Sequence, residues 1–262
     1  MNNYVISLSS EVTRREHIKS EFNQKNVSFT FFDAITPPDN TECANKLGIN
    51  ISNSALTAGE ISCFLSHIML WKHALDNNLD YIAIFEDDIY LGQNSDLFLN
   101  HPDWIPKDCD IIKLEAFYPT IEVEKRKARE TLDNRIIYPL VSKHIGGAGY
   151  ILSQRILKKL FEDIRTRDNF EPLDHYLFEE LIVNKEIEVV QILPAICIQD
   201  SILNGSHDKF SSSLEDERRI RFNTTTQKIT FIQKMKREIF RILNQIKKVI
   251  RNIYYKKNVT FR

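Results

Sequence analysis

The chain has 262 residues, of which 42% are hydrophobic, and its formal net charge is −1. That length fits one large domain, or one domain with an appendage, and argues against two full-size domains. The near-neutral total hides an asymmetry, because residues 226–262 contain eleven Lys or Arg against one acid and leave 24 bases and 35 acids on residues 1–225. We therefore expect an acidic domain over residues 1–225 and a basic tail over residues 226–262.

Short β-rich runs alternate with helical patterns along the body, which predicts an α/β fold with a mostly parallel central sheet flanked by helices. Predicted strands cover residues 4–8, 28–34, 81–85, 110–114, 135–140, 148–152 and 188–193. Predicted helices cover residues 11–25, 57–75, 153–164 and 172–185, with Ser9-Ser10 as the N-cap of the first and a capping box between Thr57 and Glu60 in the second. Residues 39–56 are polar without a clear period and are predicted to form a surface loop.

The four cysteines are Cys43, Cys63, Cys109 and Cys197, and none forms a CxxC pair. We expect them to be reduced thiols, most of them buried as small hydrophobic side chains, which is typical of a reducing compartment such as the cytoplasm. The N-terminus lacks the pattern of a signal peptide, and no stretch approaches the roughly 20 apolar residues of a membrane span. The expected protein is soluble or peripheral.

An acidic run, Glu86-Asp87-Asp88, follows the apolar predicted strand 81–85. Three carboxylates at the end of a buried strand repel one another and lose solvation unless a cation compensates them. Ligands of open α/β sheets bind at the carboxyl ends of strands, and a hard divalent ion held there suits a nucleotide diphosphate. The run predicts a divalent-ion site, and the alternative is a solvated acidic turn.

Three of the seven glycines, Gly146, Gly147 and Gly149, lie together just before a predicted strand. Glycine permits close backbone approach, so this segment is a candidate for contact with a sugar or phosphate, and the alternative is a tight turn or bulge.

Asp174 lies at the start of the predicted helix 172–185, where it is a candidate general base for an acceptor hydroxyl or simply compensates the helix dipole. Arg14 and Ser7 follow the first strand, where they are candidates for nucleotide contact, although exposed arginines are usually just solvated. Glu60 and His67 share one predicted helix, and Glu60 already has a structural use in the capping box.

Several segments, taken in order, resemble glycosyltransferase family 25 over roughly residues 3–205. They are Val5-Ile6-Ser7-Leu8 with Arg14-Arg15, Phe31-Phe32-Asp33-Ala34-Ile35, Leu56-Thr57-Ala58-Gly59-Glu60-Ile61-Ser62-Cys63-Phe64-Leu65-Ser66-His67, Ile84-Phe85-Glu86-Asp87-Asp88-Ile89, Gly147-Ala148-Gly149-Tyr150 and Leu173-Asp174-His175-Tyr176-Leu177. This family includes bacterial lipopolysaccharide and lipooligosaccharide galactosyltransferases and relatives that glucosylate or galactosylate other acceptors.

The resemblance implies a GT-A-like fold, a UDP-sugar donor, Mn²⁺ or Mg²⁺, and inversion at the anomeric carbon. It assigns the ion to Asp88 with Asp87, and the donor to Glu86 and Asp87. Other implied residues contact the donor (Ser7, Leu8, Arg14, Gly147, Gly149), contact the acceptor (Glu60, His67, Tyr150), or act as base (Asp174). Asp200 or His207 is expected as a further metal ligand.

The family pattern more often reads Gly-Thr where this chain has Gly146-Gly147, so a side-chain hydroxyl is missing there and the donor or acceptor preference stays open. The expected reaction moves a hexose, with galactose preferred over glucose, from the UDP-sugar to a lipid-linked oligosaccharide of lipooligosaccharide or lipopolysaccharide. The sequence leaves the oligomeric state open.

From about residue 227 the tail pattern predicts one long helix with an apolar stripe and most basic residues off it. We expect this basic amphipathic helix to lie on the inner leaflet of the bacterial inner membrane, which makes the protein cytoplasmic and peripheral. The alternatives are packing on the body or on a dimer partner, and the acidic body argues against nucleic-acid binding.

Two other classes of protein compete with the transferase. A metal-dependent phosphotransferase or nuclease would need a second acidic cluster, which the sequence lacks. A non-catalytic, membrane-attached carbohydrate-binding protein would bind UDP-sugars without turning them over.

Overall fold

The computed structural model describes residues 1–184, 187–205, 209–210 and 254–262. The strands are β1 Asn2–Ser7, β2 Thr30–Asp33, β3 Tyr81–Glu86, β4 Ile89–Leu91, β5 Ile111–Lys113, β6 Glu115–Ala116, β7 Thr120–Glu122, β8 Arg129–Glu130, β9 Ile136–Pro139, β10 Gly149–Ser153, β11 Val189–Leu193, β12 Cys197–Gln199 and β13 Lys256–Asn258. The α-helices are α1 Val12–Gln24, α2 Asn40–Leu47, α3 Ala58–Asp76, α4 Asp96–Leu99, α5 Gln154–Thr166, α6 Leu173–His175, α7 Leu181–Asn184 and α8 Asp200–Asn204. Short 3-10 helices lie at Pro37–Asp39, Lys125–Lys127 and Leu132–Asn134, and a π-helical turn, Tyr176–Glu180, joins α6 to α7.

The main sheet has eight strands in the order β2-β1-β3-β10-β5-β11-β9-β8. β1 is parallel to β2 and β3, and β5 is parallel to β11, whereas β10 and β9 run antiparallel to their neighbours. Within the described residues, six of these eight strands therefore point in one direction. The predicted α/β class with a mostly parallel central sheet is confirmed.

Helices cover both faces of this sheet, as the uniformly apolar sequence of β3 predicts. Ile82 and Ile84 of β3 pack into a core with α3 and α5, whereas Ala83 and Phe85 pack into a second core with α1 and α4. The four side chains are fully buried, and their alternation follows from the two-residue period of a strand. The buried strand β3 therefore holds the acidic run in a fixed position at its carboxyl end, which we call the sheet edge.

The capping box that begins α3 is confirmed. Thr57 Oγ1 accepts from the Glu60 backbone N–H at 3.2 Å, and Glu60 Oε2 accepts from the Thr57 backbone N–H at 3.0 Å. The prediction that Ser9-Ser10 is the N-cap of α1 is wrong, because the N-cap residue is Glu11 and no side chain forms a capping hydrogen bond there. The turn before α1 is closed instead by a backbone bond from Glu11 to the Leu8 carbonyl at 3.0 Å.

The prediction of a surface loop over residues 39–56 is wrong in its first part. Residues 40–47 form α2, which buries Cys43, Ala44 and Leu47 and ends at Gly48 in the left-handed region at φ 69°. Only a few apolar residues separated by polar ones form this face, so the helical period is hard to see in the sequence. Glycine at the C-cap is the remaining signal of a helix end.

The predicted helical tail is wrong at its C-terminal end. Residues 256–258 form β13, which pairs antiparallel with β7, and Phe261 forms a bridge with Ala195. The backbone carbonyl of Arg262 accepts from the Gln93 N–H at 2.8 Å and from the Arg135 guanidinium at 3.0 Å. Exposed backbone of β7 offers these residues a strand pairing that the tail sequence alone does not reveal. The predicted helix over residues 227–253, with its membrane contact, lies outside the described residues.

The four cysteines are reduced thiols, as predicted, and Cys43, Cys109 and Cys197 are buried whereas Cys63 is half-buried. Across the part of the chain that the structure describes, no helix has the length and hydropathy to cross a membrane.

Substitution of Gly149 by Ala should destabilise the fold by about 1–3 kcal/mol, because its Cβ would overlap the Sγ of Cys197 and lie 3.3 Å from the Phe85 ring. Urea unfolding of Gly149→Ala, Cys197→Ala and the double variant measures this. The double variant should be more stable than Gly149→Ala alone, since removal of the sulfur makes room for the methyl group. An unchanged stability of Gly149→Ala would show that packing does not explain this glycine.

Candidate active site

The acidic run lies where β1 and β3 end and the antiparallel β10 begins. The register places Ile6 of β1 opposite Glu86 and Gly149 of β10 opposite Phe85. Asp87 and Asp88 are only 7% and 8% exposed, so the run is not the solvated acidic turn that was the alternative. Charges this far from water require compensation.

Arg14 compensates two of these carboxylates in this structure. Its Nη1 donates to Asp87 Oδ1 at 2.6 Å and lies 3.8 Å from Asp88 Oδ2. Arg14 also lies over the ring of Phe210, with 5.5 Å between its Cζ and the ring centroid. Arg14 therefore lies beside the acidic run, with Asp87 as a hydrogen-bond partner, and its expected contact with the donor stays a prediction.

Arg15 has a different task from its neighbour. It donates to the backbone carbonyls of Ser7 at 2.9 Å and Leu8 at 3.1 Å, and it pairs with Asp33 at the end of β2. These bonds fix the loop after β1, and Ser7 itself is buried with its Oγ bonded to the Leu8 carbonyl at 3.3 Å. The donor contacts expected of Ser7 and Leu8 stay predictions.

Gln199, at the end of β12, is a site residue that the sequence does not reveal. The small sheet β4-β12-β6 places its Nε2 3.2 Å from Glu86 Oε2 and 3.3 Å from Asp88 Oδ1. One amide therefore links the first and last acids of the run. No motif surrounds Gln199, and the pairing of β12 with β4 and β6 brings it here.

Burial shifts the acid equilibria of the run. Burial raises the pKa of Asp88 to about 6, against the opposing effects of Arg14 and the hydrogen bond from Gln199. Burial also raises the pKa of Glu86 well above its ordinary value, and the nearby carboxylates Asp88, Glu115 and Asp174 raise it further. The carboxylates thus face one another across a common space that favours a cation.

A buried ion pair, Lys113–Glu115, supports the glycine segment beside the run. Both side chains are fully buried, with Lys113 Nζ 3.0 Å from Glu115 Oε2 and over the ring of Phe178 at 4.4 Å. Lys113 donates to the carbonyl of Gly146, and Glu115 Oε2 accepts from the backbone N–H of Ala148 at 3.1 Å. The pair therefore holds both ends of the turn 146–148.

Asp174 lies on the other side of that turn. Its Oδ2 accepts from the Gly146 backbone N–H at 3.1 Å, and a Cβ on Gly147 would lie 3.6 Å from the Asp174 Cβ. Gly146 itself adopts φ +99°, and a Cβ there would approach Phe117 and Glu115 to within 2.9 Å. Glycine is needed at position 146 for both reasons. Its backbone N–H holds the carboxylate of Asp174 in place.

A protein-family model described as glycosyltransferase family 25 (LPS biosynthesis protein) matches residues 1–177, which is more than half of the chain. The chain belongs to glycosyltransferase family 25. The matched region contains Arg14, the acidic run, the glycine turn and Asp174, whereas Gln199 lies beyond it. The α/β sheet agrees with the GT-A-like architecture that the resemblance implies.

Curated relatives agree with this assignment. A Haemophilus influenzae protein named as a glycosyltransferase is 40% identical over 92% of this chain and 84% of its own length. The lipooligosaccharide biosynthesis protein lic2B of Haemophilus influenzae is 36% identical over 97% of this chain and 95% of its own length. The lacto-N-neotetraose biosynthesis glycosyltransferase LgtE of Neisseria gonorrhoeae is 34% identical over 76% of this chain and 74% of its own length.

The residues expected to contact the acceptor lie inside this family 25 glycosyltransferase rather than on its surface. His67 Nδ1 bonds Tyr150 Oη at 2.8 Å, and Tyr150 also accepts from Trp71 Nε1 at 3.2 Å. Tyr150 is fully buried, His67 is 2% exposed, and Glu60 is 4% exposed in its capping box. The structure accounts for all three by interior contacts, and an acceptor role for them stays a prediction.

Of the glycines, Gly147 lies against Asp174, whereas Gly149 faces Cys197 and Phe85 in the core. Packing in the core therefore explains Gly149 without a ligand. The expected donor contact of Gly147 stays a prediction that its half-buried position beside Asp174 allows.

A divalent ion fits the acids of the run, because Asp87 and Asp88 offer buried carboxylate oxygens, the ligands that hard cations such as Mn²⁺ and Mg²⁺ prefer. Asp200 is less suited as a further ligand. Its Oδ1 accepts from Tyr90 at 3.0 Å and Asn204 at 2.7 Å, and its Oδ2 accepts from the backbone N–H groups of Lys209 and Phe210. His207, the other expected ligand, lies outside the described residues.

Replacement of Lys113 by Met should lower the free energy of unfolding by about 3–5 kcal/mol, because it leaves the buried Glu115 carboxylate without its cation. Urea unfolding of Lys113→Met, Glu115→Gln and the double variant gives the coupling energy, and the double variant should lose less than the sum of the single variants. Lys72→Met is the matched control, since its pair with Asp76 is exposed and should contribute less than about 1 kcal/mol. Equal losses at positions 72 and 113 would contradict this account.

Asp88→Asn should stabilise the metal-free protein at pH 8 by up to about 3 kcal/mol and have little effect at pH 4. The pKa of Asp88, about 6 in the folded chain, exceeds the roughly 3.9 of an unfolded Asp, so the folded state binds the extra proton between these values. Stability contributed by this group therefore falls as pH rises from about 4 to 6, and Asn removes the effect. Thermal melts in chelator from pH 4 to 8 test this, with the exposed Asp76→Asn as control; a less stable Asp88→Asn at pH 8 would refute it.

Proposed function

We propose that this family 25 enzyme is an inverting, metal-dependent transferase that moves galactose from UDP-galactose to a sugar of lipooligosaccharide or lipopolysaccharide. The observation that supports it most is the convergence of Arg14, the acidic run and Asp174 at one sheet edge. The printed names of the relatives, in lipooligosaccharide and lacto-N-neotetraose biosynthesis, support the acceptor class. Galactose follows from the resemblance to bacterial galactosyltransferases.

In this proposal Asp88 and Asp87 hold the ion, which supplies positive charge to the departing diphosphate when bound. Arg14 is the second source of positive charge, since its guanidinium already lies beside these acids and suits a phosphate. Glu86 faces the donor from the same strand end. Stabilisation of the leaving group by such fixed charges is usually the largest contribution to catalysis.

Asp174 is the proposed general base. The acceptor hydroxyl attacks the anomeric carbon as the bond from that carbon to the UDP oxygen breaks, and the hydroxyl proton passes to Asp174. Attack opposite the leaving group inverts the anomeric centre. The backbone N–H of Gly146 holds Oδ2 of Asp174 in place, and the Lys113–Glu115 pair holds that backbone.

Asp174→Asn should lower kcat by about 10²–10⁴-fold with donor affinity unchanged, because the base is lost and the charges beside the diphosphate remain. The assay measures UDP release from UDP-galactose, UDP-glucose and UDP-N-acetylglucosamine with a lipooligosaccharide acceptor, in Mn²⁺, Mg²⁺ or chelator. Asp88→Asn should remove the dependence of UDP binding on metal. Asp168→Asn, an exposed carboxylate six residues before the proposed base, is the control and should keep wild-type activity.

Transfer from UDP-glucose alone would replace galactose by glucose within the same family. UDP binding without release of UDP from any donor would favour the carbohydrate-binding alternative. Activity that survives in chelator, together with unchanged UDP binding by Asp88→Asn, would refute the metal-dependent mechanism.

A further inference from the structure

A second group of potential metal ligands lies next to the acidic run, on the α3 side. Cys63 and His67 are four residues apart on α3 and therefore share one face of the helix, one turn apart. α3 packs on β3, and the third member of the group is Glu86 at the end of that strand. One ligand atom from each of the three side chains lies within 4.8 Å of the other two.

The chemistry of this group differs from that of Asp87 and Asp88. A thiolate, an imidazole and a carboxylate suit zinc and related ions, whereas Mn²⁺ and Mg²⁺ prefer oxygen alone. Zinc bonds of about 2.0–2.3 Å place the ligand atoms of a tetrahedral site roughly 3.5 Å apart, so these atoms would have to approach one another by no more than about 1.3 Å on binding. Three protein ligands would leave one position open to water or another ligand.

His67 is held in place by neighbouring side chains. Its Nδ1 bonds Tyr150 Oη at 2.8 Å and Trp71 donates to Tyr150 in turn, so an ion would bind Nε2 if the bond to Tyr150 stays in place. A hydrogen bond on the second ring nitrogen is the usual partner of a metal-bound histidine, because it fixes the orientation of the ring. Burial lowers the pKa of His67 to about 4, which leaves the ring neutral at pH 7, as metal binding requires.

We propose that Cys63, His67 and Glu86 form a second cation site, selective for zinc-type ions and separate from the oxygen ligands Asp87 and Asp88. The two sites meet at Glu86, whose Oε2 accepts from Gln199 at 3.2 Å. Under the proposed function, zinc bound at the second site would draw Glu86 away from the donor. Bound zinc would then weaken donor binding at the neighbouring site and inhibit sugar transfer.

Cobalt is the direct probe, because a cysteine thiolate bound to Co²⁺ gives a near-ultraviolet charge-transfer band and Zn²⁺ displaces it. The full chain, stripped with chelator and reduced, should show this band with one equivalent of Co²⁺, in the absence of any sugar nucleotide. Cys63→Ser should abolish the band and weaken zinc binding at least about tenfold. Glu86→Gln, the conservative change at the third ligand, should also weaken zinc binding.

Cys43→Ala, which removes a buried thiol on α2, and Asp88→Asn should both retain the band. Thermal melts of Cys63→Ser and Glu86→Gln confirm that each variant is folded before titration. A wild-type chain without the band, or a band that survives in folded Cys63→Ser, would overturn the proposal. Since the titration contains no donor or acceptor, its outcome is independent of the proposed transferase activity.

Discussion

The crowding of negative charge at one edge of the sheet is the constraint on which the rest of the site depends. Burial and the nearby carboxylates of Asp88, Glu115, Asp87 and Asp174 raise the pKa of Glu86, so five carboxylates are gathered in this region. Among the described residues that contact them, the cations are Arg14, which is partly exposed, and Lys113, which is fully buried. A fold that gathers so many acids must either bind further cations or keep some of the acids protonated. In either state, this end of the sheet can accept a charged ligand.

The two cations divide the structural work between them. Lys113 is enclosed with Glu115 and Phe178 and fixes the turn 146–148, so its charge is committed to the protein interior. Arg14 lies on a helix at the mouth of the site, with Phe210 beside it, and its charge faces the acids that a ligand would also approach. The buried Lys113–Glu115 pair contributes little net stability, but it fixes the geometry around it, since loss of one partner leaves the other charge without compensation.

Local patterns were sufficient for much of the fold and for part of the site. The apolar run of β3, the capping box of α3 and the acids after a buried strand are each encoded within a few neighbouring residues. Each is found where the sequence predicts it. Gln199 and the Lys113–Glu115 pair were not foreseeable, because they reach the site through contacts with residues more than 30 positions away. The acceptor contacts predicted for Tyr150 and His67 meet the same limit. The local sequence does not show that these two side chains bond each other in the core. β13 is another non-local pairing, and the apolar stripe in the sequence before it favoured a helix.

The contact between Arg14 and Asp87 has a thermodynamic consequence for any pair of ligands at this edge. A cation that binds Asp87 Oδ1 competes with the 2.6 Å contact of Arg14, and an anion that attracts Arg14 releases that oxygen. Each ligand thus removes part of the work required by the other. Linkage makes this assistance reciprocal, so the affinity for the ion rises in the presence of the anion by the same factor as the converse. Under the proposed function, such a site would favour the joint binding of an ion and a diphosphate over the binding of either one alone.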